Sequence, residues 1–555
     1  MNPIWRQEYS VWGLGLGISA IIAALPTALL LFLLAVRRKA AWIAALAGLG
    51  ATLAVALAAY RMPAKLALSS AAYGAAFGLF PISWIVFWAI ALYNVTVATG
   101  KFEIIRESIG ALTSDLRVQA LIIAFAFGAF IEGAAGFGTP VAVAGAMMAG
   151  LGFSPYYASA LCLVANTVPV AFGSIGIPIV TLSGVTGLPF APLSAIVGRL
   201  CAPISFLLPA YLIAIVGGAG SALEVWPAVL TAGGVFACVQ FCVSNYVGAQ
   251  LTDILSSLSA MGALVLLLRV WKPRAGRRDR FAEKTSAASS LEETEPRIER
   301  TTRTFSAGET IEGWVPYALL VICVLLWGYK PLLVWLNKVT FVVPWPALHN
   351  LILRSPPVVA APSLYAATFN LNLLSASGSA CMVATLISAA FLRMPLSQFA
   401  KLLVATARQL IYPTITVSAV LSLAFVMNYS GATGTLGLAF AATGAAFPFF
   451  SPFLGWLGVF LTGSDTSSNA LFGALQVVTA RRLGFNPVLV AAANSAGGVM
   501  GKMISLQSIA VAAAATGISV KQQAKLLRFT LKHSLFLAGL VGLEVLLYAY
   551  VYRLH

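Results

Sequence analysis

The chain has 555 residues, of which 60% are hydrophobic and 9% charged, with a formal net charge of +17. Soluble domains carry roughly 25% charged residues, so a soluble enzyme, a nucleic-acid binder and a disordered chain are excluded for the chain as a whole. The mean hydropathy of +0.92 fits a chain crossing a bilayer on the order of a dozen times, at about 20 apolar residues per crossing.

Apolar runs fall near 11–36, 40–60, 66–98, 118–151, 155–182, 189–217, 225–245 and 248–270, then near 313–336, 372–392, 399–428, 431–448, 450–475, 487–517 and 530–552. The pattern predicts an all-α, polytopic membrane protein of about 12–14 transmembrane helices. Several runs exceed one crossing and contain Gly or Pro, as broken helices or re-entrant hairpins do. The first run lacks a basic leader and is long enough to span, so it is read as a helix and not a cleaved signal.

Between the two groups of runs, residues 272–312 hold eight of the 17 acids. This mixed-charge stretch is predicted to be a solvated linker between a membrane half at 1–271 and another at 313–555. Its basic start, with Arg37-Arg38-Lys39, places it in the cytoplasm by the positive-inside trend. Both termini are then expected outside. Arg61, Lys65 and Arg354 run against that trend. The basic excess is read as span flanks, not as a nucleic-acid surface. The six cysteines form no CxxC and the three histidines are scattered, so neither disulfide, metal nor cofactor is expected. The cysteines are read as small core residues.

An internal repeat is visible. Gly128-Ala-Phe-Ile-Glu132-Gly133, Leu151-Gly-Phe-Ser-Pro155 and Ala165-Asn166-Thr167 recur as Gly458-Val-Phe-Leu-Thr462-Gly463, Leu483-Gly-Phe-Asn-Pro487 and Ala493-Asn494-Ser495, at offsets of 330, 332 and 328. The repeated stretches are 128–178 and 458–508. Many secondary transporters are built from two such units with the substrate site between them; the sequence does not say whether the second is inverted.

Each unit opens with an apolar helix that meets a glycine-rich polar break: Glu132 to Pro140 in the first, Thr462 to Asn469 in the second. Backbone groups freed at membrane depth are tolerated where they are buried in protein or line a cavity, and exposed helix N-termini attract anions. Gly133, Gly136, Gly138, Thr139, Asn166 and Thr167 are therefore candidate substrate contacts in the first unit. Ser464, Thr466, Ser467, Ser468, Asn469, Asn494 and Ser495 are their counterparts in the second. Close helix packing is the plainer role for isolated glycines.

Outside the linker, four acids sit inside apolar runs: Glu132, Asp253, Asp465 and Glu544. A charge at mid-bilayer costs about 2.5–3.5 kcal/mol on insertion scales. Such a carboxyl needs a partner, a cavity or a proton, and one that alternates between wet and dry surroundings can carry a proton. Glu132 and Asp465 lie in the matched breaks and are the candidates for proton coupling. Asp253 is a supporting residue or a helix cap, and Glu544 is read as structural. Lys502 or Arg199 would balance an organic carboxylate or pair with an acid; Arg408 is a weaker candidate.

Glu132-Gly-Ala-Ala-Gly-Phe-Gly, Gly463-Ser-Asp-Thr-Ser-Ser-Asn469 and Gly501-Lys-Met-Ile-Ser505 closely resemble the bacterial L-lactate permease family, and the likeness runs through essentially the whole chain, to Lys532-His-Ser534. The resemblance implies an inner-membrane symporter, not an enzyme. It implies uptake of L-lactate, and often D-lactate and glycolate, together with protons; oligomeric state stays open. Gln507 joins the set as a supporting residue. Two positions depart from the family pattern: Leu506 stands where Pro is usual and Thr139 where Ala is common. Without the Pro, that segment is expected to be more continuously helical. A sodium-coupled carboxylate carrier is the alternative, since broken helices rich in Ser, Thr and Asn also suit that cation.

Overall fold

The computed structural model describes residues 4–110, 112–136, 138–273, 285 and 306–552. Most of the charged linker, including Arg277 and Glu292, lies outside the described residues, as does Phe137.

The described chain is almost entirely helical. In order come α1 (Leu16–Ala35), α2 (Ala41–Ala58), α3 (Ala64–Phe77), α4 (Trp84–Ala98), α5 (Lys101–Gly110), α6 (Leu116–Ala134) and α7 (Thr139–Gly150). Then follow α8 (Pro155–Ala165), α9 (Gly173–Thr186), α10 (Phe190–Gly217), α11 (Trp226–Tyr246) and α12 (Thr252–Val270). After the linker come α13 (Ala307–Gly328), α14 (Ser377–Phe391), α15 (Leu396–Ser430), α16 (Ala432–Phe440), α17 (Phe447–Thr462) and α18 (Asp465–Leu483). The last three are α19 (Pro487–Gly501), α20 (Leu506–Thr516) and α21 (Val520–Tyr550). Eleven helices among the described residues are long and apolar enough to cross a membrane, or up to 13 if each of two bent pairs makes one span. The chain is a multi-pass membrane protein. Short strands sit on one face: Trp5–Arg6 pairs in parallel with Ile352–Arg354, and Phe341–Pro344 pairs antiparallel with Thr368–Leu371.

Hydropathy treats α6, and α17 together with α16, as crossings, but α6 and α17 are each the first leg of a hairpin. The end of α7 returns to the end of α5, where Leu151 faces Gly110, next to the start of α6. Likewise α18 returns to the start of α17. Tyr550 donates to the Ala445 carbonyl at 2.8 Å just before α17, and its ring stacks edge-on to Phe485 just after α18.

The hairpins enter from opposite faces, and α21 provides the measure. Its 31 residues span about 45 Å at 1.5 Å per residue. Near its start, Lys525 and Phe529 pack on Tyr156 at the base of the first hairpin. At its far end, Tyr550 meets the base of the second. The first base shares its face with the linker: Arg117 at the start of α6 pairs with Glu224 at 2.5 Å, and Lys101 pairs with Glu312 at the start of α13 at 2.9 Å.

After each hairpin the chain runs as a bent pair, α8 with α9 at 62° and α19 with α20 at 42°. The pairing between units is reciprocal: α9 packs on α18, and α20 packs on α7. Each unit thus lays its second leg against the other's hairpin. Leu506 does not make the second bend continuous. Ser505 caps α20 by accepting from the Ser508 N–H at 3.1 Å, and Leu506 is the first helical residue, a place where proline also fits. The break therefore rests on the cap. Four cysteines are buried, while Cys238 and Cys242 are exposed on α11, so these two are surface residues and not part of the core.

Candidate functional site

The hairpin tips meet in the middle of the fold, and each closes onto the bend of its own unit. In the first, Ser174 Oγ donates to the Ala135 carbonyl at 3.1 Å, and a Cβ at Gly173 would stand 2.8 Å from the Glu132 carboxylate. In the second, Lys502 Nζ donates to the Gly463 carbonyl at 2.7 Å. Gly463 turns the tip with φ +73°, a conformation that costs a side chain but not glycine.

Between the tips lies a cavity of about 250 Å³. Glu132, Gly173, Ser174 and Ile177 line it from the first unit; Thr462 to Ser467, Lys502 and Gln507 line it from the second. Its remaining wall comes from α2 and α15 through Ala41, Trp42, Tyr412, Pro413, Thr416 and Val417. Trp42 and Tyr412 pack with ring centroids 5.6 Å apart. α1 makes a single crossing from the Trp5–Arg6 strand, and α13 a single crossing from the linker to that strand's partner, so Trp42 at the start of α2 stands on the linker face and the cavity runs from the tips toward it. Two helices begin at its wall, α18 with Asp465 to Ser467 and α20 with Gln507. Their free N–H groups and dipoles favour an anion there.

Asp465 is 2% exposed. Its Oδ2 accepts from Ser495 Oγ at 2.5 Å and from Asn469 Nδ2 at 3.2 Å, while Oδ1 has no partner. Behind it Asn494 Nδ2 donates to Asn469 Oδ1 at 2.9 Å, Gln476 donates to Asn494 at 3.2 Å, and Asn469 also reaches the Pro178 carbonyl of α9 at 3.2 Å. Ser468 donates to the Gly455 carbonyl at 2.9 Å. Asn469, Asn494 and Ser495 are therefore the buried support of Asp465, Ser468 ties α18 to α17, and none of the four lines the cavity.

The first unit is arranged differently. Glu132 Oε2 and both polar atoms of the Asn166 amide are buried without hydrogen bonds, although Asn166 faces the Glu132 carboxyl. Gly133 packs against Asp253 and Gly138 against Val511 of α20. Thr139 begins α7 away from the cavity, and Thr167 is buried with its hydroxyl unpartnered. A Cβ at Gly136 would strike Ser174 Oγ. Asp253 does not cap α12: both carboxylate oxygens are buried without partners, and the side chain packs on Gly133, the residue after Glu132. Glu544, on α21, also keeps one buried oxygen without a partner. Arg199 is not brought to the cavity, because Asn245 Oδ1 holds it at 2.8 Å on the α10–α11 side. Lys502 lines the same cavity as Glu132 and Asp465, and it is the one cation to do so among the described residues.

The bend of the first unit is strained. Ser174, Ile175 and Gly176 form a left-handed turn with φ +46°, +61° and +76°. For a β-branched residue such as Ile175 this is a rare conformation, and such strain concentrates at functional sites.

The sequence profile of the L-lactate permease family matches residues 19–552. The chain belongs to the L-lactate permease family. It is 44% identical to the glycolate permease GlcA of Escherichia coli, over 99% of this chain and 98% of that protein. It is equally 44% identical to the L-lactate permease of Bacillus subtilis, over 99% of each chain. Among solved structures it resembles MtrF of Neisseria gonorrhoeae, with a TM-score of 0.43 at 11% identity, covering 85% of this chain and 81% of that one.

The family's motifs fall at the hairpin tips and bends. The α2 and α15 wall is what sequence reasoning missed. Trp42, Tyr412 and Thr416 carry no charge and no unusual spacing; Pro413 within a 35-residue helix is the one local irregularity that marks the place.

Proposed function

We propose that the protein is a proton-coupled symporter for L-lactate and related small 2-hydroxy-monocarboxylates, D-lactate and glycolate among them, working by alternating access in the bacterial plasma membrane. Its organisation is read as two membrane halves, 1–271 and 313–555, joined by the linker 272–312. The units at 128–178 and 458–508 are read as an inverted repeat. Their hairpins enter from opposite faces, and a single crossing by α13 separates the linker from the strand that pairs with Trp5–Arg6. With the linker cytoplasmic, both termini lie outside.

The observation that carries this reading is the charge balance of the cavity. One ammonium, Lys502, lines the cavity together with the buried carboxyls of Glu132 and Asp465. With both cavity acids ionised the site is net negative and repels a carboxylate. With one proton added it is neutral, and Lys502 and the starts of α18 and α20 then favour an anion. Proton and substrate thus enter together. Asp465 Oδ1 and Glu132 Oε2, buried without donors, are oxygens on which a proton relieves an unsatisfied group. Ser464, Thr466, Ser467 and Gln507 supply hydrogen bonds for the carboxylate and hydroxyl of the substrate.

The test is uptake of L-lactate into proteoliposomes driven by a pH gradient or by a sodium gradient, with D-lactate, glycolate, pyruvate and succinate as competitors. Accumulation driven by the pH gradient, with competition by 2-hydroxy-monocarboxylates, is the expected result. Accumulation that needs sodium, or preference for succinate, overturns it.

A further inference from the structure

A second polar pocket lies on the opposite face, where the central cavity does not reach. It measures about 60 Å³ and is enclosed by Gln7, the strand carrying Arg354, Tyr365, the α15–α16 junction, and the far ends of α9 and α18 with Arg481. Among the described residues no acidic side chain lines it. Its walls are fixed by hydrogen bonds. Gln7 Nε2 donates to the Asn428 and Tyr429 carbonyls at 2.8 Å, Asn428 Nδ2 donates to the Val185 carbonyl at 3.2 Å, and Thr433 donates to Asn428 Oδ1 at 2.8 Å.

Two guanidinium groups face this space. Arg354 lies 4.5 Å over the Tyr365 ring, gives one N–H to Ser363 at 3.2 Å, and keeps its Nε buried without a partner. Arg481 stands in the last turn of α18. The helix dipole favours a cation at that end, and Arg482 beside it meets that need as well. Among the described residues neither Arg354 nor Arg481 enters an ion pair.

The pocket's place in the fold gives these charges a use. The same two helices connect it to the central cavity: α9 has Gly173 at the cavity and Thr186 at this pocket, and α18 has Asp465 at the cavity and Arg481 at this pocket. Between the two spaces the helices are pressed together, so that a Cβ at Gly473 would stand 2.7 Å from Leu182. The seam is closed here, with one space on each side of it. Arg354 is also one of the cations that the positive-inside trend leaves unexplained.

We propose that Arg354 and Arg481 form an anion-capturing vestibule on the face carrying the termini, which binds a small organic carboxylate before the α9–α18 seam opens to the central cavity. The proposal rests on the carboxylate-transport reading above. Guanidinium groups without ion-pair partners in a narrow mouth attract carboxylates through their charge and raise the local anion concentration in a salt-dependent way.

The test is L-lactate transport by Arg354→Gln, Arg481→Gln and the double variant, with Arg354→Lys and Arg481→Lys as charge-preserving controls. Transport is measured separately from each face in oriented membrane vesicles. The expected result, at low ionic strength, is a KM raised about three- to tenfold from the termini face at unchanged maximal rate, while transport from the linker face keeps its KM and loses the same factor in maximal rate, as the reversibility of a carrier requires. Added salt should erase the difference between wild type and the Gln variants, and the Lys variants should stay close to wild type. An unchanged KM in the double variant, or a KM raised equally from both faces, overturns the vestibule. Failure of the wild type to move L-lactate from either face overturns instead the transport reading on which it stands.

Discussion

Ser174 and Lys502 occupy the same place in the two units: each donates to the backbone carbonyl at the tip of its own hairpin, at 3.1 and 2.7 Å. They are also separated by the repeat offset of 328 residues read from the Asn motifs. One is a hydroxyl and the other an ammonium, so two similar joints carry different charge. The positive charge of the cavity is placed on one side of an otherwise matched pair.

Lys502→Met should therefore do more than remove a hydrogen bond. A hydrogen bond to a charged group contributes about 1.5–3 kcal/mol, equivalent to roughly 10- to 150-fold in an equilibrium. L-Lactate uptake, normalised to protein in the membrane, is expected to fall at least that far, and Lys502→Arg should restore part of it. Uptake within twofold of wild type in Lys502→Met would show that the substrate does not use this charge.

Asp465→Asn and Glu132→Gln separate exchange from accumulation. Both keep an acceptor oxygen of the same shape but take up no proton. In the wild type, lowering the pH on the entry side raises accumulation, because the proton that neutralises the cavity comes from that side. In the variant of the coupling acid, counterflow of labelled L-lactate should persist while accumulation against a gradient is lost and pH has little effect. Full pH-driven accumulation in both variants would falsify the assignment of the proton to either residue.

Gly455 is a packing position, and its prediction concerns stability. A Cβ there would strike the Asn494 backbone where α17 meets α19. Backbone cannot swing aside as a flexible side chain can, so Gly455→Ala should destabilise by about 1–3 kcal/mol. Thermal unfolding in detergent reads this directly. Gly50→Ala, inside α2 where a Cβ meets nothing within 4 Å, serves as the comparison and should lose no stability.

Thr416 lines the cavity near Tyr412 and so reports which face it opens toward. Thr416→Cys in a chain with its native cysteines replaced should react with a membrane-impermeant maleimide applied from the linker face, and L-lactate should slow that reaction. Labelling from the termini face alone contradicts the direction of opening seen here.

The sequence was informative where polarity interrupts an apolar run. Asp465, Ser464 and Lys502 stood out because a buried charge or a cluster of hydroxyls has no place in a lipid-facing helix. It was less informative about which of these residues touch a ligand. Asn469, Asn494 and Ser495 have the composition of a binding site, yet they are turned toward Asp465 and one another. That distinction depends on side-chain direction, which spacing does not supply. Arg199 met the same rule as Lys502 but is held by Asn245. Hydropathy also cannot separate a hairpin leg from a crossing: Leu116–Ala134 is apolar enough to span, and only the return of Leu151 to Gly110 shows that the chain doubles back. The wall from α2 and α15 was invisible because apolar residues lining a cavity look like apolar residues facing a core.

The two bends differ in one respect that bears on movement. In the first, the chain passes through a left-handed turn at Ser174–Gly176; in the second, the corresponding stretch Lys502–Ile504 is a right-handed 3-10 turn. Two units of common plan thus rest in unlike shapes, one strained and one relaxed. If the first unit took the second's shape and the second the first's, the molecule would come to resemble itself turned over, with its open side exchanged. On the alternating-access reading proposed above, the mismatch between the bends sketches the opposite state, and the strain in Ile175 marks where that exchange would begin.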